Sequence, residues 1–315
     1  MINLQKMSSP TIYGVGETVF DIIFKDYAPQ AAKPGGSAFN AMITLGRLGV
    51  PSEFISEVGN DRVGSHILDF LKNNGVGAGH VVQFDEGKSA LSLAFLNDKS
   101  DAEYDFYKDY PNQRLNEEMP VFMNRDYLLF GSFYGLNPVL RPQIESLLDA
   151  ASQENALILY DPNFRSSHLA DLDLLKKIIE KNFSSSTIVR ASDEDLYNIY
   201  GVKNAHDAWQ KISQFCDYFV YTANSQGVDL VTKDFNLHIE VDRIEPLSTI
   251  GAGDTFNAGI LYELYKRGIT AGTLGALGRN DWSEILKTAA AFSKEVCMSY
   301  ENYISVDFAK AYKLG

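Results

Sequence analysis

Patterns that mark disulfide-rich, metal-binding or membrane proteins are sparse in this chain of 315 residues. The two cysteines, Cys216 and Cys297, are too far apart in sequence to form a metal-ligand or redox pair, so we expect reduced thiols. No apolar run approaches the ~20 residues that cross a bilayer. Residues 1–10 have no apolar signal-peptide core. We therefore expect a cytoplasmic protein with no membrane partner.

The net charge and the incomplete glycine motifs argue against further classes of protein. The formal net charge is −13, so the basic footprint of a nucleic-acid-binding protein is absent and we expect no nucleic-acid partner. Residues 87–89 read Gly-Lys-Ser, like the end of a P-loop, but Val82 stands where that motif needs glycine. Gly14 and Gly16 begin a dinucleotide-type pattern whose third glycine is replaced by Val19. The five histidines show no zinc-like spacing.

Strand-like and helix-like segments alternate along most of the chain, and hydrophobic residues make up 45% of it. Such alternation is typical of an α/β domain whose central, mostly parallel sheet is covered by helices on both faces. The length suits one domain over residues 11–315, after a tail of residues 1–10. We predict strands at 11–15, 52–58, 127–130, 156–160, 187–189, 218–222 and 228–232, and helices at 37–48, 63–73, 141–151 and 172–181.

Two regions depart from this alternation. Residues 19–24 read as a strand that runs out of the main sheet, and residues 81–107 hold several strand-like runs with no helix between them. We expect segments near 19–32 and 81–110 to form a small β appendage.

The most informative segment is 248–259, where small residues and one acid precede an apolar helix face. Gly251, Ala252 and Gly253 lie where a helix presents unpaired N–H groups, which attract anions such as phosphate. A phosphate would repel the Asp254 carboxylate, so this acid suits another task, which is to take a proton from a hydroxyl during phosphoryl transfer. We predict Asp254 as a general base beside an anion hole formed by the three preceding residues.

A second glycine-rich segment, residues 33–49, also enters an apolar helix. Gly35 and Gly36 let the backbone approach a ligand closely, and the amide of Asn40 lies in the first helical turn, where it can meet a hydroxyl. In their order and separation, the two segments resemble the two signatures of the PfkB, or ribokinase-like, carbohydrate kinases. The resemblance extends over nearly the whole chain.

This resemblance implies a ribokinase-like fold in which a β lid covers the sugar and excludes water. It also implies ATP as the phosphoryl donor and Mg²⁺ as its metal. Asp21 matches the family acid that holds two sugar hydroxyls, and Gly35, Gly36 and Asn40 are expected to contact the same sugar. Edge strands of the lid, such as residues 90–96, are expected to pair across a homodimer.

Residues 161–165 resemble the Asp-Pro-Asn-x-Arg run of fructokinase-like and ketodeoxygluconate-kinase-like members. The resemblance assigns Arg165 to substrate oxygens, which suit its fixed fork of donors; a salt bridge that shapes the loop is the other role open to it. It places Asn163 towards the phosphate. Tyr107 belongs to another fructokinase-like segment and is a candidate sugar contact. The next residue, Lys108, stands where ketodeoxygluconate kinases tend to have arginine, and lysine has no bidentate fork for a carboxylate.

Several positions depart from the usual family residues near the metal. Ser192 and Asp195 stand where members show Asn-x-x-Glu, which organises Mg²⁺ through water. Oxygen ligands from Asp195 or Glu194 still suit a hard cation, although an acid cluster at a helix start explains the same residues. Ser248 replaces a frequent Asp near a monovalent-cation region, so an activating K⁺ ion is a secondary expectation.

The nucleotide turn departs at one position. Thr222 and Gly227 match the family turn that contacts nucleotide phosphates, whereas Asn224 replaces its first glycine. Asparagine adopts left-handed backbone more readily than most residues, so the turn can persist. We assign Asn163, Ser192, Thr222, Asn224 and Gly227 to ATP.

We predict an ATP-dependent sugar kinase with fructose as the expected acceptor. Ketodeoxygluconate, ribose and nucleosides stay open as acceptors. The alternative from another class is a sugar-binding regulatory protein that has lost turnover, suggested by the departures at Ser192, Asn224 and Ser248. The intact Asp254 argues against that alternative.

Overall fold

The computed structural model describes residues 9–97, 102–115 and 119–314. Within these ranges the strands are β1 (Ile12–Val15), β2 (Val19–Lys25), β3 (Ala28–Gly35), β4 (Ser52–Gly59), β5 (Gly77–Phe84), β6 (Lys88–Leu96), β7 (Ala102–Asp109), β8 (Tyr127–Gly131), β9 (Leu157–Asp161), β10 (Ile188–Ser192), β11 (Tyr218–Thr222), β12 (Val228–Thr232) and β13 (Asn236–Ile239). The helices are α1 (Ser37–Arg47), α2 (Arg62–Asn73), α3 (Arg141–Gln153), α4 (Leu172–Ser184), α5 (Asp193–Tyr200), α6 (Ala205–Ile212), α7 (Ala252–Lys266), α8 (Arg279–Cys297) and α9 (Val306–Lys310). Residues 1–8 of the predicted tail lie outside the described residues.

Nine strands form a large sheet with the order β13-β12-β11-β10-β9-β8-β1-β4-β5. The pairs from β11 through β10, β9, β8 and β1 to β4 and β5 are parallel, and only β12 and β13 add antiparallel pairs at one edge. The fold is therefore ribokinase-like α/β, and the prediction of a mostly parallel sheet is confirmed.

Strand β9 shows how this sheet divides the hydrophobic core. Leu157 and Leu159 belong to one buried cluster, whereas Ile158 and Tyr160 belong to another, because successive side chains of a strand point to opposite faces. The first cluster includes residues of α1, α2, α7, α8 and α9, and the second includes residues of α3, α4, α5 and α6. Helices thus cover both faces of the sheet, as predicted.

A small four-stranded sheet, with the order β3-β2-β6-β7, lies beside the large one. On one face of this small sheet, Ile23, Ala94 and Leu96 pack against Ile250, which precedes α7. The small sheet is thereby held over the amino-terminal end of α7. This placement brings polar residues of β2 close to the segment that the sequence marked as catalytic.

The prediction for the second segment of the small sheet was partly wrong. Residues 81–84 belong to β5, which pairs in parallel with β4 at the edge of the large sheet. Val81 and Phe84 are buried there. No helix separates β5 from β6, so the sequence gives no sign of the point at which the chain leaves one sheet for the other. The small sheet begins again only at Lys88.

The carboxyl ends of the parallel strands meet along one edge, which is where open α/β sheets bind ligands. β9, β10 and β11 end there at or just before predicted site residues, and β1 leads there into β2, which contains Asp21. In the described ranges, none of the helices combines the length and the hydropathy of a membrane span.

Candidate active site

Asp254 lies in the first turn of α7, where α7 meets the start of α1. Its Oδ1 accepts a hydrogen bond from the Ser37 hydroxyl at 2.7 Å, and its Oδ2 accepts one from the side-chain amide of Asn40 at 2.8 Å. Only 7% of Asp254 is exposed. Burial raises the pKa of Asp254 to about 6, although both hydrogen bonds favour the ionised form. The carboxylate is thus an oriented proton acceptor that becomes ionised just below neutral pH.

The backbone before Asp254 forms a turn that needs glycine. Gly251 immediately precedes α7 with a φ of 79°, and a Cβ there would collide with the carbonyl oxygen of Asn302. The Ala252 amide donates to the carbonyl oxygen of Thr249 at 3.2 Å. Within the described part of the chain, no side chain caps this helix. Apart from the Ala252 N–H, its amino end therefore keeps the N–H groups and the positive dipole that together bind anions.

Asp21 approaches the same region from β2. Its carboxylate accepts hydrogen bonds from the Ser92 hydroxyl and, at 3.0 Å, from the side-chain amide of Asn302. A Cβ at Gly35 would overlap the Asp21 carboxylate, so glycine is required beside it. Burial raises the pKa of Asp21 to about 6, and the charge of Asp254 contributes to the rise. The two carboxylates therefore interact electrostatically across the space between the small sheet and α7.

Gly36 and Asn40 form the other wall of this space. Gly36 has a φ of 128°, and a Cβ there would collide with the carbonyl oxygen of Glu17. The Oδ1 atom of Asn40 is buried and has no hydrogen-bond partner among the described residues. Leaving a buried acceptor unpaired is unfavourable by about 1–3 kcal/mol. A ligand hydroxyl in this space would satisfy it.

The loop after β9 brings Asn163 against the same cluster. Asn163 has a φ of 40°, and its backbone N–H donates to Oδ1 of Asp161 at 3.0 Å. Its side-chain amide donates to the Ser37 hydroxyl at 3.2 Å. Arg165 follows two residues later, and its positive charge opposes the dominant effect of burial on the pKa of Asp254. The predicted Asn163 and Arg165 thus lie in the surroundings of the predicted base.

The predicted nucleotide turn connects β11 to β12. Asn224 has a φ of 45°, so the left-handed backbone expected at this asparagine is present. Gly227 has a φ of 101°, and a Cβ there would meet the carbonyl oxygen of Ile239. The Thr222 hydroxyl oxygen accepts a hydrogen bond from Arg190 at 2.6 Å. A cavity of about 330 Å³ lies beside the turn and is lined by Ser225, Gln226, His238, Glu240, Val241 and Arg243.

The acids at the start of α5 have a structural explanation. Oδ2 of Asp195 accepts hydrogen bonds from the backbone N–H and the hydroxyl of Ser192, and Oδ1 accepts one from the Phe164 N–H at 2.6 Å. These bonds include a capping box. The buried Asp195 does not fit the role of a direct metal ligand, because the helix cap and the loop use both of its oxygens; Glu194 is exposed. Among the described residues, no three His, Cys, Asp or Glu side chains are grouped to hold a metal ion.

The placement of Tyr107 differs from the prediction. Tyr104 and Phe106 stack with 5.6 Å between their ring centroids on one face of β7. Burial and the charge of Asp21 raise the pKa of Tyr104, so this face is directed towards the carboxylates. Strand alternation directs Tyr107 to the opposite face, where it is 58% exposed. Tyr104 is therefore the tyrosine of this segment that lies near the site.

Sequence reasoning gave no role to several polar residues that the fold brings into the site. Ser37 follows the Gly-Gly pair directly, and its position at a helix start was a usable signal. Ser92 and Asn302 are far from both signatures in sequence and carry no local pattern. They reach Asp21 through the pairing of β2 with β6 and through the segment after α8.

Comparisons with known proteins identify the family of this chain. The model of the pfkB family of carbohydrate kinases matches residues 12–307. A fructokinase of Rhizobium leguminosarum bv. trifolii is 30% identical over 263 residues, which cover 79% of this chain and 78% of the relative. An aminoimidazole riboside kinase of Salmonella typhimurium is 25% identical over 263 residues, with 81% of each chain covered.

Solved structures share the fold. A double mutant of a Vibrio cholerae O395 fructokinase, with fructose, ADP and a potassium ion bound, superposes with a TM-score of 0.83 at 18% identity. The superposition covers 98% of this chain and 100% of that one. The family match spans both glycine-rich signatures, together with Asp21 and Asp254. The chain therefore belongs to the pfkB family of carbohydrate kinases.

Proposed function

We propose that this family member is an ATP-dependent sugar kinase whose preferred acceptor is fructose. The observation that carries the proposal is the buried Asp254 carboxylate, held by Ser37 and Asn40 at the start of α7. In the proposed reaction, the O–H bond of the sugar hydroxyl breaks towards Asp254 while the sugar oxygen bonds to the γ-phosphorus of ATP, and ADP leaves. The backbone of Gly251, Ala252 and Gly253 stabilises the negative charge of the transferring group.

The sugar is proposed to lie between the small sheet and α1. Asp21 would bind two hydroxyls with its two oxygens, and Asn40 would accept a hydroxyl at its unpaired Oδ1. Gly35 and Gly36 allow the backbone to approach the ring, because a side chain at either position would collide with its surroundings. Arg165 offers further donors to sugar oxygens.

A contact of Lys108 favours a neutral sugar over an acidic one. Lys108 Nζ lies 2.6 Å from Oε2 of Glu17, and the Tyr110 hydroxyl donates to Oε1 of Glu17 at 2.7 Å. The charge of Lys108 is therefore already compensated. A ketodeoxygluconate carboxylate placed beside Lys108 would also meet the Glu17 carboxylate, which repels it. Similarity to a named fructokinase supports fructose among the neutral sugars.

A riboside is the second candidate acceptor. It is favoured by the similarity to the aminoimidazole riboside kinase of Salmonella typhimurium, with which the match covers 81% of this chain. A riboside and fructose would both offer hydroxyls to Asp21 and a primary hydroxyl to Asp254. They differ in the base that a riboside carries, so a direct competition assay separates them.

ATP is proposed to bind along the edge from the loop after β9 to the turn after β11. Thr222, Asn224 and Gly227 would contact its phosphates, and the adjoining cavity of about 330 Å³ fits part of the nucleotide. Asn163 and Ser192 would complete this side of the site.

Of the two acids that the sequence offered for Mg²⁺, Asp195 and Glu194, we propose only one. Asp195 is used by the helix cap, so Glu194, exposed in the same turn, is the residue that would hold Mg²⁺ through water. Bound Mg²⁺ would supply charge neutralisation at the phosphates. An activating K⁺ ion rests on the family resemblance alone, and the nearby Ser248 hydroxyl accepts a hydrogen bond from the Ile250 N–H at 3.2 Å. A cytoplasmic location stays a prediction.

The domain proposal is a single kinase domain over residues 11–315, with β2, β3, β6 and β7 as its lid. Residues 90–96 belong to β6, which lies inside the small sheet and not at its edge, so the prediction that they pair across a dimer was wrong. The outer face of the lid is instead the surface proposed for a homodimer. Phe24 and Phe95 stack there with 5.1 Å between their ring centroids, and Tyr27 is 89% exposed. An apolar face of this kind on a small sheet is typical of an interaction surface. A Phe95→Glu variant is expected to be monomeric at a concentration at which the unmodified chain is dimeric by light scattering.

The test of the proposed function is ADP release from ATP and Mg²⁺ with fructose, ketodeoxygluconate, ribose, tagatose, glucose and adenosine. We expect fructose to give the highest kcat/KM. An equal or higher value with ketodeoxygluconate would contradict the argument from Lys108. No release with any acceptor, by folded protein with K⁺ present, would favour a sugar-binding protein without turnover.

A further inference from the structure

Arg190 is a buried arginine for which neither the signatures nor the proposed function has a use. It lies in β10, between β9 and β11, and is only 9% exposed. Its Nη1 donates to Oδ2 of Asp161 at 2.8 Å, and its Nη2 donates to Oγ1 of Thr222 at 2.6 Å. Its Nε is buried with no hydrogen-bond partner among the described residues. One guanidinium thus connects the ends of two neighbouring strands.

The same guanidinium touches the segment that precedes Asp254. A Cβ built on Gly253 would lie 2.8 Å from Nη1, 3.3 Å from Nη2 and 3.4 Å from Cζ of Arg190. The two terminal nitrogens and the carbon that joins them therefore lie against the Gly253 backbone. Arg190 thus packs against the backbone of the proposed anion hole. Its hydrogen bonds also hold the loop after β9 and the nucleotide turn in place.

We propose that Arg190 is a positioning residue for phosphoryl transfer: it holds the anion hole, the Asp161 loop and the Thr222 turn in one arrangement, and it compensates the charge of Asp161. The proposal rests on the proposed kinase function. It does not require Arg190 to touch the substrate, because each of its contacts is with a residue that leads into the site.

The compensation of charge matters because several charged or titratable groups surround Asp254. Asp21 faces it from β2, Tyr104 from β7, Asp161 from β9 and Arg165 from the following loop. After burial and the two hydrogen bonds, the next largest effect on the pKa of Asp254 is the charge of Asp161, which raises it. Without Arg190, the Asp161 carboxylate would keep the hydrogen bonds from the Asn257 amide and the Asn163 N–H but would lose this ion pair.

The alternative is that Arg190 only stabilises the fold. Breaking a buried ion pair is strongly destabilising whether or not a site is near, so loss of stability cannot distinguish the two roles. If Arg190 only stabilises the fold, the folded molecules of a variant keep both the kcat/KM value of the unmodified chain and its dependence on pH. These two quantities therefore decide between the roles.

The experiment compares Arg190→Lys and Arg190→Met with the unmodified chain, using its best acceptor. Lysine keeps the charge but cannot bind Asp161 and Thr222 together with one fork. We expect both variants to lose kcat by about 10- to 100-fold, as displacement of about 1 Å does in other sites, with the KM for the sugar changed less than the kcat. We expect the acid limb of kcat/KM to move up by about one pH unit in Arg190→Met and to stay in place in Arg190→Lys.

Arg141 provides a matched control. Its side chain is 12% exposed against 10% for Arg190, and it donates to Glu145 and Asn182 at 2.7 Å each, on α3 and α4. Arg141→Met is expected to lower the urea midpoint while leaving kcat and the acid limb unchanged. A shift of the acid limb in this control would overturn the assignment to Arg190, because any buried arginine would then have the same effect.

A second variant keeps the test decisive if the Arg190 variants do not fold. Gly253→Ala keeps both charged side chains but directs a methyl group at the Nη1 atom that binds Asp161, so it should lower kcat by a similar factor. An unchanged kcat in Gly253→Ala, or in either folded Arg190 variant, overturns the proposal while leaving the kinase function intact. Absence of kinase activity in the unmodified chain would instead overturn the proposed function, and this inference with it.

Discussion

Replacing Asp254 with asparagine should remove activity and at the same time stabilise the protein above pH 7. Burial raises the pKa of Asp254 from 3.8 to about 6, so its ionisation opposes folding at higher pH. At 1.36 kcal/mol per pKa unit, this opposition amounts to about 3 kcal/mol. Natural sites commonly retain such unfavourable groups because function needs them.

The expected gain is smaller than that upper value, because asparagine cannot accept hydrogen bonds at both positions. In the variant, the side-chain amide of Asn40 can turn so that its Oδ1 atom, which has no partner among the described residues, accepts from the new NH₂ group at position 254. The hydrogen bond between positions 40 and 254 is then kept. A net gain of ~1–2 kcal/mol remains, which raises the Tm of a chain of this size by about 2–3 °C. On the catalytic side, loss of a general base lowers kcat by about 10²–10⁴.

The sign of the pH dependence follows from the direction of the shift. The folded state holds the proton of Asp254 more tightly than the unfolded state between pH 3.8 and about 6. The stability contributed by the protonated carboxyl is therefore lost as the pH rises through this window. Relative to the unmodified chain, Asp254→Asn should gain stability through the same window and keep a constant advantage above it.

Thermal unfolding from pH 4 to pH 8 tests this, with Asp149→Asn as the control because it makes the same chemical change at an exposed position of α3. We expect no pH-dependent difference in the control. If Asp254→Asn is less stable than the unmodified chain at pH 8, and the difference is the same at pH 4, the reasoning about burial is refuted.

Three further predictions concern the titration, the α5 cap and the turn before α7. The kcat/KM should fall below pH 6 with a slope approaching two in a pH–rate profile, because Asp21 and Asp254 each have a pKa raised to about 6 and both act ionised. Ser192→Ala should lower the free energy of unfolding by about 1 kcal/mol in urea, because it removes the cap of α5. Gly251→Ala should reduce kcat/KM by about 100-fold or more in steady-state assays, whereas Gly268→Ala, which also has a positive φ but meets no atom within 4 Å, should leave it unchanged.

Each of these predictions has an outcome that contradicts it. A pH–rate profile that is flat between pH 5 and 7 would show that neither carboxylate acts as proposed. An unchanged urea midpoint in the Ser192 variant would show that the side-chain cap of α5 contributes nothing to stability. Equal activity in Gly251→Ala and Gly268→Ala would show that the collision of a Cβ at position 251 with the Asn302 carbonyl oxygen does not affect catalysis.

The parts of the fold that follow from local patterns were predictable. The Gly-Gly and Gly-Ala-Gly-Asp segments fixed the positions of α1 and α7, and the left-handed Asn224 followed from the conformational range of asparagine. Strand β9, buried on both faces, has the continuous apolar run expected for a central strand. These features depend on neighbours in sequence, which the sequence displays directly.

The parts that depend on distant contacts were not predictable. The sequence offered Asp195 either as a metal ligand or as part of an acid cluster at a helix start, and only the hydrogen bond from the distant Phe164 N–H shows that its second oxygen is used as well. Tyr107 and Tyr104 lie on opposite faces of any strand through this segment, and only the pairing of β7 with β6 shows which of the two faces the site. Arg190 directly follows the predicted strand at residues 187–189, whereas in the structure it lies within β10 and its partners lie on β9 and β11.

The most direct test of the central claim measures product formation and sugar binding in the same two proteins. Fructose and ATP are incubated with the unmodified chain and with Asp254→Asn, fructose phosphate is quantified, and fructose binding is measured by calorimetry. The proposal predicts product from the unmodified chain, a loss of about 100-fold or more in the variant, and similar fructose affinity in both. Equal product formation by the two proteins would contradict the assignment of Asp254 as the base on which the whole proposal depends.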